Sequence, residues 1–437
     1  MGYKNFSKIK TVYFIGIGGI GTSAIARMFL LQGKKVSGSD MAESEVTIAL
    51  RKAGAIIFIG ENVRNIPANC DLVIYTIAIP KDHTELAEAK KRGIPVISYP
   101  EALGVISKDK CTIAITGTHG KTTTTAMVAK ILIDAGLNPT VIVGSLIKDT
   151  AGNRTNFIAG KSEYLVMEAC EYRRSFLYLS PKVLVITNID ADHLDYYKDL
   201  DDIESAFREL SAKVSKNGAV ICDFSDERAP RAAVASRGRV IDFGGFLTKV
   251  PKLLVPGVHN KKNAAVALAT ADFLDIDLAN AGKSLSRFSG ASQRFEFRGK
   301  AKNGALVYDD YGHHPTEIEA TLQGVRELFP TQKIVVVFQP HLYSRTKQHL
   351  TGFGKCFALA DEVILLPIYP AREQNPGDIN SEMVVAEIKK NGKSAYFLQT
   401  FAESARKATE LAGATDVIIT MGAGETNKVA DILVSSK

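Results

Sequence analysis

The run Ile115-Thr-Gly-Thr-His-Gly-Lys-Thr-Thr-Thr-Thr125 carries the residue types that grip a polyphosphate. An apolar stretch, Cys111–Ile115, precedes it, and a helical pattern, Lys121–Ala135, follows and stops at Gly136. A strand, a glycine-rich turn and a helix start, in that order, aim backbone N–H groups and the positive end of a helix dipole at an anion. Lys121 has the reach to meet terminal phosphates, and the Thr122 hydroxyl is a hard oxygen ligand for Mg²⁺. Gly117, Thr118, His119, Gly120 and Thr123 complete the turn. It is shorter than the full phosphate-loop pattern, because Gly117 stands only three residues before Gly120. A Gly/Thr turn without a ligand is the bland alternative; the strand-to-helix context favours a triphosphate site.

A second glycine turn, Gly16-Ile-Gly-Gly-Ile-Gly21, follows the apolar Thr11–Ile15 and opens another helical pattern. Asp40 lies ~20 residues on, where this fingerprint places an acid on a ribose. Gly16, Gly18, Gly19 and Gly21 therefore predict a bound diphosphate without saying whose. An oxidoreductase using a nicotinamide dinucleotide would need this turn and nothing of the next one. A nucleotide-like substrate with its own pyrophosphate, in an enzyme that also binds a triphosphate, would need both.

Further polar residues cluster at the ends of apolar runs. Glu168 closes the predicted strand Tyr164–Met167, Glu171 follows in the next turn, and His193 lies in Asn188-Ile-Asp-Ala-Asp-His-Leu-Asp195, just beyond the strand Val183–Thr187. Open parallel sheets bind ligands at the carboxyl ends of their strands, so the phosphate turn, Glu168 and His193 are expected in one crevice. Thr122 and Glu168 suit a hard cation bridging phosphates. A solvated charge at a strand end (Glu168) and an ordinary loop residue or helix cap (His193) are the alternatives. Asn260 and Asn263 precede the Ala-rich run Ala264–Ala271; their amides suit a purine edge, but spacing alone favours helix N-caps. Farther on stand Gln293-Arg294-Phe295, the stretch Asp309-Asp-Tyr-Gly-His-His-Pro-Thr-Glu317 and Gln339-Pro-His-Leu-Tyr-Ser-Arg345. Loop arginines suit a phosphoryl charge or a substrate carboxylate, against the commoner reading as surface ion pairs.

The elements that must position these residues alternate along the chain. Strands are predicted at Thr11–Ile15, Lys35–Gly38, Ala55–Ile59, Asp71–Tyr75 and Pro95–Ser98, with helical patterns between most of them. A polar stretch, Ser107–Lys110, reads as a hinge. Strands follow at Cys111–Ile115, Tyr164–Met167, Val183–Thr187 and Gly218–Cys222, then at Lys333–Phe338, Glu362–Leu366, Ala395–Leu398 and Asp416–Thr420. This is an α/β chain of about three domains with parallel sheets covered on both faces. The divisions fall at 1–108, a Rossmann-like domain; 109–293, a P-loop domain; and 294–437, a C-terminal Rossmann-like domain. Across 437 residues, 46% hydrophobic and 23% charged residues are enough for full cores. The N-terminus lacks the apolar core of a signal peptide, and no apolar run approaches the ~20 residues of a membrane span. Five scattered cysteines without metal spacing suit a reducing cytoplasm. A net charge of +7, spread along the chain without a basic stripe, suits small polyanions rather than nucleic acid.

Taken together the motifs resemble those of the Mur ligases, over nearly the whole chain. Gly16–Gly21 looks like the family's UDP-binding turn. Gly117–Thr124 matches its Gly-Thr-His-Gly-Lys-Thr-Thr-Thr loop, in which His119 marks the alanine-adding branch. The Glu168 cluster, Asp192-His193, Gly257-Val-His-Asn260, Asp310–Glu317 and Phe338-Gln-Pro-His341 fall in the family's order.

The resemblance implies a three-domain ligase of peptidoglycan precursor synthesis that uses ATP and Mg²⁺. ATP would phosphorylate the lactyl carboxylate of UDP-N-acetylmuramate, and the amine of L-alanine would displace phosphate from the acyl phosphate. By likeness, Thr122, Glu168 and His193 hold metal, while Lys121 and Arg294 act on the γ-phosphate. Asn260 and Asn263 meet the adenine, and Asp310 the ribose side. Tyr311, His313, His341 and Arg345 line the alanine and muramyl carboxylate pocket. A monomer or weak homodimer is expected, with no nucleic acid or membrane partner. The chain departs from the family pattern in Cys170, where a carboxylate is usual, in Leu342 for an arginine and in Glu425 for an aspartate. The lysine that several sister ligases modify is absent; Phe207 and Arg208 occupy that region. Another Mur-type ligase, adding a different amino acid or a preformed peptide, is the alternative.

Overall fold

The computed structural model describes residues 5–80, 82–148, 154–194, 196–371 and 373–435; Asp195, at the end of the predicted His193 loop, lies outside them. The first strands are β1 (Thr11–Ile15), β2 (Lys35–Asp40), β3 (Ile56–Ile59), β4 (Leu72–Tyr75) and β5 (Val96–Ser98). They form a wholly parallel sheet in the order β3-β2-β1-β4-β5. Alternate residues of β1 point to opposite faces. Val12 and Phe14 join one core with Phe29, and Tyr13 and Ile15 join another with Leu86 and Ala89. Strand order reverses at β1, which places the Gly16–Gly21 turn where such sheets open a crevice.

The second sheet contains β6 (Cys111–Thr116), β7 (Thr140–Lys148), β8 (Arg154–Ile158), β9 (Tyr164–Glu168), β10 (Val183–Ile186), β11 (Ala219–Cys222) and β12 (Arg239–Asp242). Its order is β12-β11-β10-β6-β9-β7-β8. Strand β6 lies between β10 and β9, with Ile115 opposite Glu168 and Thr116 opposite Ile186. These two sheets belong to one compact unit, Met1–Pro251 with Lys262–Ser286. A single apolar cluster joins them, with Phe29 and Val36 of the first and Phe157 and Met167 of the second. Asn156 on β8 adds a polar tie, its Nδ2 donating to Ser23 Oγ at 2.8 Å. The predicted hinge is tied down at Ser107, which is fully buried. Its carbonyl accepts from Thr112 Oγ1 at 2.9 Å and its Oγ from Ser180 N at 3.1 Å.

The second unit comprises Lys252–Lys261 and Arg287–Lys437. Its sheet contains β13 (Glu296–Lys300), β14 (Leu306–Asp310), β15 (Ile334–Phe338), β16 (Glu362–Leu365), β17 (Ser394–Phe397) and β18 (Val417–Met421), in the order β13-β14-β18-β15-β16-β17. Val336 and Ile419 face one core, Val335 and Ile418 the other.

Two expectations need correction. The second and third sheets are not parallel throughout, because β8 and β13 pair antiparallel with β7 and β14. A short turn joins β13 to β14, with Ala301 N bonded to Ala305 O and Gly304 at φ +94°. A parallel pairing needs a crossover far longer than that turn. Asn260 and Asn263 are not N-caps, since the helix starts at Val258 and runs to Phe273, enclosing both in its first turns. No helix among the described residues is long and apolar enough to cross a membrane, and all five cysteines are free.

Candidate active site

The phosphate turn joins β6 to the helix Lys121–Asp134 and is braced by the loop after β10. Asn188 O accepts from Thr118 N at 3.1 Å, Asn188 Oδ1 accepts from His119 N at 2.9 Å, and Thr187 Oγ1 donates to His119 O at 2.6 Å. Thr118 Oγ1 accepts from Asp190 N at 2.8 Å, and His119 Nε2 lies 3.5 Å from Asp190. Gly120 has φ +82°, and a Cβ there would stand 2.6 Å from Asn263 Oδ1, so only glycine fits. The structure thus brings Asn263 onto the phosphate turn. Thr123 is buried as the third residue of the helix.

Lys121 folds back over its own turn. Its Nζ donates to Gly117 O at 2.6 Å and Thr118 O at 3.0 Å, and it pairs with Glu171 at 3.0 Å. Burial alone would lower the pKa of this ammonium; the negative charges of Glu171 and its neighbours outweigh burial and raise it. Thr122 Oγ1 donates to Glu168 Oε2 at 2.9 Å, and the same oxygen accepts from Gly144 N at 2.9 Å. His193, at φ +56°, points its Nε2 to 3.6 Å from Glu171 Oε1 and lies 4.8 Å, ring to ring, from Tyr172.

Lys121, Thr122, Glu168 and His193 therefore do meet at adjacent strand ends, through a residue that the sequence names in the next turn without giving it a role. Glu171, only 2% exposed, joins Lys121 to His193. The available signal was a second carboxylate within a turn of Glu168. Cys170 opens to solvent at the wall of this crowded crevice. Thr122 and Glu168 offer hard oxygen atoms to one point. No group of three or more His, Cys, Asp or Glu placed to hold a metal ion exists among the described residues. A cation held here would draw most of its ligands from water and phosphate, which suits Mg²⁺.

At the first turn, Gly16 N and Ile17 N both donate to Ser39 O, and Thr22 Oγ1 donates to Gly16 O at 2.6 Å. Asp40 Oδ2 accepts from Gly18 N at 2.7 Å, so this acid shapes the turn directly. A Cβ at Gly18 would stand 2.8 Å from Thr47 and 2.9 Å from Asp40, and one at Gly19 2.9 Å from Thr22.

Within the second unit the strand ends of β14, β18 and β15 are adjacent. Asp310, at the end of β14, accepts from Phe295 N and Gly312 N, both at 2.8 Å, and burial raises its pKa. Gln293 and Phe295, on either side of Arg294, have positive φ, and the guanidinium lies 4.9 Å from the Tyr311 ring centre. His313 accompanies Tyr311 at 5.4 Å and His341 at 5.8 Å, ring to ring. Arg345 Nη1 lies 3.3 Å from His341 Nδ1. Arg294, Tyr311, His313, His341 and Arg345 thus form one group. Tyr369, absent from the expectations, stacks on His341 at 5.8 Å and 16°. Leu342 is buried at φ +66° with its N–H on Tyr369 O. Asn260 Nδ2 donates to Pro256 O at 2.7 Å.

Comparison with known proteins covers the chain in three consecutive pieces. Residues 11–110 match the profile described as "Mur ligase family, catalytic domain", 115–249 the "Mur ligase middle domain", and 293–424 the "Mur ligase, glutamate ligase domain". The UDP-N-acetylmuramate–L-alanine ligase of Caldicellulosiruptor saccharolyticus is 41% identical over 97% of this chain and 98% of its own. That of Clostridium acetobutylicum is 41% identical over 98% of each. Among solved structures, the UDP-N-acetylmuramate-alanine ligase MurC from Thermotoga maritima superposes with TM-score 0.80 at 30% identity over 98% of each chain. A murein peptide ligase from Psychrobacter arcticus, at 22% identity and TM-score 0.69 over 98% of each chain, shares the fold.

Proposed function

The chain belongs to the Mur ligase family, and we propose that it joins L-alanine to the lactyl carboxylate of UDP-N-acetylmuramate at the expense of ATP, in peptidoglycan precursor synthesis. The observation that carries this reading is the pairing of Lys121 with Glu171 beside the Thr122–Glu168 hydrogen bond, in a chain 41% identical to L-alanine ligases over nearly its full length. In the division of labour we infer, residues 1–108 hold the UDP-sugar on the Gly16–Gly21 turn, 109–293 the ATP phosphates and 294–437 the amino acid.

The substrate carboxylate oxygen attacks the γ-phosphorus and ADP leaves. The alanine amine then attacks the acyl carbon, forming the amide and expelling phosphate. Such chemistry is driven by charge neutralisation and positioning rather than by a covalent enzyme intermediate. Lys121 leaves the Gly117 and Thr118 carbonyls and neutralises terminal phosphate oxygens. Thr122, Glu168 and His193 would hold Mg²⁺, which would supply Lewis-acid neutralisation of the transferring phosphoryl group. Arg294 adds positive charge on the γ-phosphate, Asn260 and Asn263 meet the adenine, and Asp310 serves the ribose side while tying its loop to Phe295. Tyr311, His313, His341 and Arg345 orient the alanine and the muramyl carboxylate. A cytoplasmic monomer or weak homodimer completes the reading.

The test is ATP-dependent phosphate release by the purified chain with Mg²⁺ and UDP-N-acetylmuramate, offering L-alanine, glycine and L-serine singly. Release that needs both the UDP-sugar and L-alanine is the expected result. Silence with all three amino acids, alongside tight UDP-sugar binding, would point instead to a peptide acceptor.

A further inference from the structure

The two anion-binding turns belong to one compact unit, and side chains line the ground between them. Tyr99 opens the helix Tyr99–Lys108 at the carboxyl end of β5. Its ring lies across Gly21, so that a Cβ on that glycine would stand 2.6 Å from the Tyr99 hydroxyl oxygen and 2.7 Å from Cε1. The same phenol feels the charge of Glu168, beside the second turn. Its helix packs on the segment after Glu171, where a Cβ at Gly104 would meet Tyr178 O at 2.7 Å. Burial first, then the neighbouring negative charge, raises the phenol's pKa and keeps its proton in place. The half-buried hydroxyl has no hydrogen-bond partner among the described residues.

Arg173 reaches the same ground from the other turn. It holds a left-handed backbone at φ +52°, as does Arg174 at φ +55°, a conformation that residues with side chains seldom adopt. Its guanidinium lies 5.4 Å from the Tyr172 ring centre, and that ring lies beside His193. Its Nη1 donates to Ile77 O at 3.1 Å, one residue beyond Thr76, whose side chain packs over Gly16. Tyr99 thus lies against one end of the first turn, and Arg173 ties the segment packed on its other end to the Tyr172–His193 side of the second site.

We infer that Tyr99 and Arg173 hold the muramyl part of the UDP-sugar, Tyr99 as a neutral hydrogen-bond donor and Arg173 as a cation. The inference rests on the UDP-sugar reading above. A molecule with its pyrophosphate on Gly16–Gly21 and its carboxylate beside the terminal phosphate at Lys121 must cross the ground these two residues border. A purely structural strut is the competing account. It would alter stability and every ligand's affinity together, whereas a substrate contact is selective for the ligand that makes it.

The experiment compares Tyr99→Phe, which keeps the ring on Gly21, and Arg173→Gln with the unaltered chain. The dissociation constants of UDP-N-acetylmuramate and of UDP are measured by calorimetry, and KM for ATP by phosphate release. Tyr99→Phe should weaken UDP-N-acetylmuramate about 3- to 30-fold, with UDP and ATP changed by less than about twofold. Arg173→Gln should act in the same sense and more strongly, because it removes a charged donor. Equal weakening of UDP and UDP-N-acetylmuramate, or no change in either variant, overturns the inference and leaves the UDP-sugar reading intact. If the unaltered chain binds neither ligand, it is the UDP-sugar reading that fails, and the inference falls with it.

Discussion

Replacing Lys121 by methionine tests the centre of the site, because it separates what the lysine does for the fold from what it does for chemistry. Lys121 is mostly buried and Glu171 almost wholly so, with 3.0 Å between their charged groups. Removing the ammonium leaves a buried carboxylate with the His193 ring nitrogen 3.6 Å away. Breaking a buried pair from one side costs about 3–5 kcal/mol, whereas removing both charges costs far less. At about 2–4 °C per kcal/mol for a unit of this size, Lys121→Met should unfold roughly 6–20 °C below the unaltered chain in nucleotide-free buffer. The double variant Lys121→Met/Glu171→Gln should recover most of that loss. Activity should behave differently. Removing one preorganised group from a transferring phosphoryl costs on the order of 10²–10³ in kcat, and neutralising Glu171 cannot restore it. Scanning calorimetry and ATP-dependent phosphate release on the two single variants and the double complete the cycle. If the double variant is as unstable as the sum of the singles, Lys121 and Glu171 are not an energetic pair. If Lys121→Met turns over at near the normal rate, the phosphate turn has been misassigned.

Glu168→Gln should raise the Mg²⁺ concentration needed for half-maximal phosphate release by at least about tenfold, since even outer-shell partners of metal sites carry factors of 10–100; an unchanged Mg²⁺ titration would remove Glu168 from the metal site. Two buried groups of the second unit give opposite pH dependences. Burial pushes His259 down to about 4, so below pH ~6.5 the unfolded chain takes up a proton that the folded one refuses. Its contribution therefore falls as pH drops from about 6.5 to 4, by up to roughly 3 kcal/mol. Denaturant unfolding of His259→Gln between pH 7.5 and 4.5 should show a shallower acid loss than the unaltered chain, and parallel curves would refute the assignment. Burial pushes Asp309 up to about 6, so the folded state takes the proton first and stability is lost as pH rises through that value. Asp309→Asn should gain stability at pH 7.5 relative to pH 4.5, the reverse of the histidine effect, and a loss at pH 7.5 relative to pH 4.5 would count against it.

Much of the central strand framework was legible because each sign was local. The strand Thr11–Ile15 was predicted with the bounds it has, and β6, β9 and β10 were placed within a residue or so. Buried strands between helices read as apolar runs bounded by glycine and polar residues, whatever lies across the sheet. The strands that escaped detection, β7, β8, β12, β13 and β14, include the edge strands β8, β12 and β13 of the second and third sheets. Edge strands bury one side less completely, and the sequence of β13, Glu-Phe-Arg-Gly-Lys, is mostly polar. Asn260 and Asn263 looked like caps because composition favours the helix only from Ala264; the helix itself begins at Val258.

By itself the sequence determined the two glycine turns, since strand, turn and helix N-terminus are contiguous and their geometry follows from a few neighbouring residues. It also placed Glu168, His193, His313 and His341 at strand ends, because the end of an apolar run is visible without knowing its neighbours. Which of these residues meet was decided only by tertiary structure. Lys121 reaches Glu171, fifty positions away, because β6 and β9 are adjacent in the sheet. Tyr369 stacks on His341 because the loop after β16 bridges to the one after β15. Tyr99 lies over Gly21 because a helix from β5 crosses the opening helix of the first turn. Strand order is set by the packing of whole helices and sheets over long loops of chain. A contact that depends on it leaves no mark in the spacing of the residues that make it.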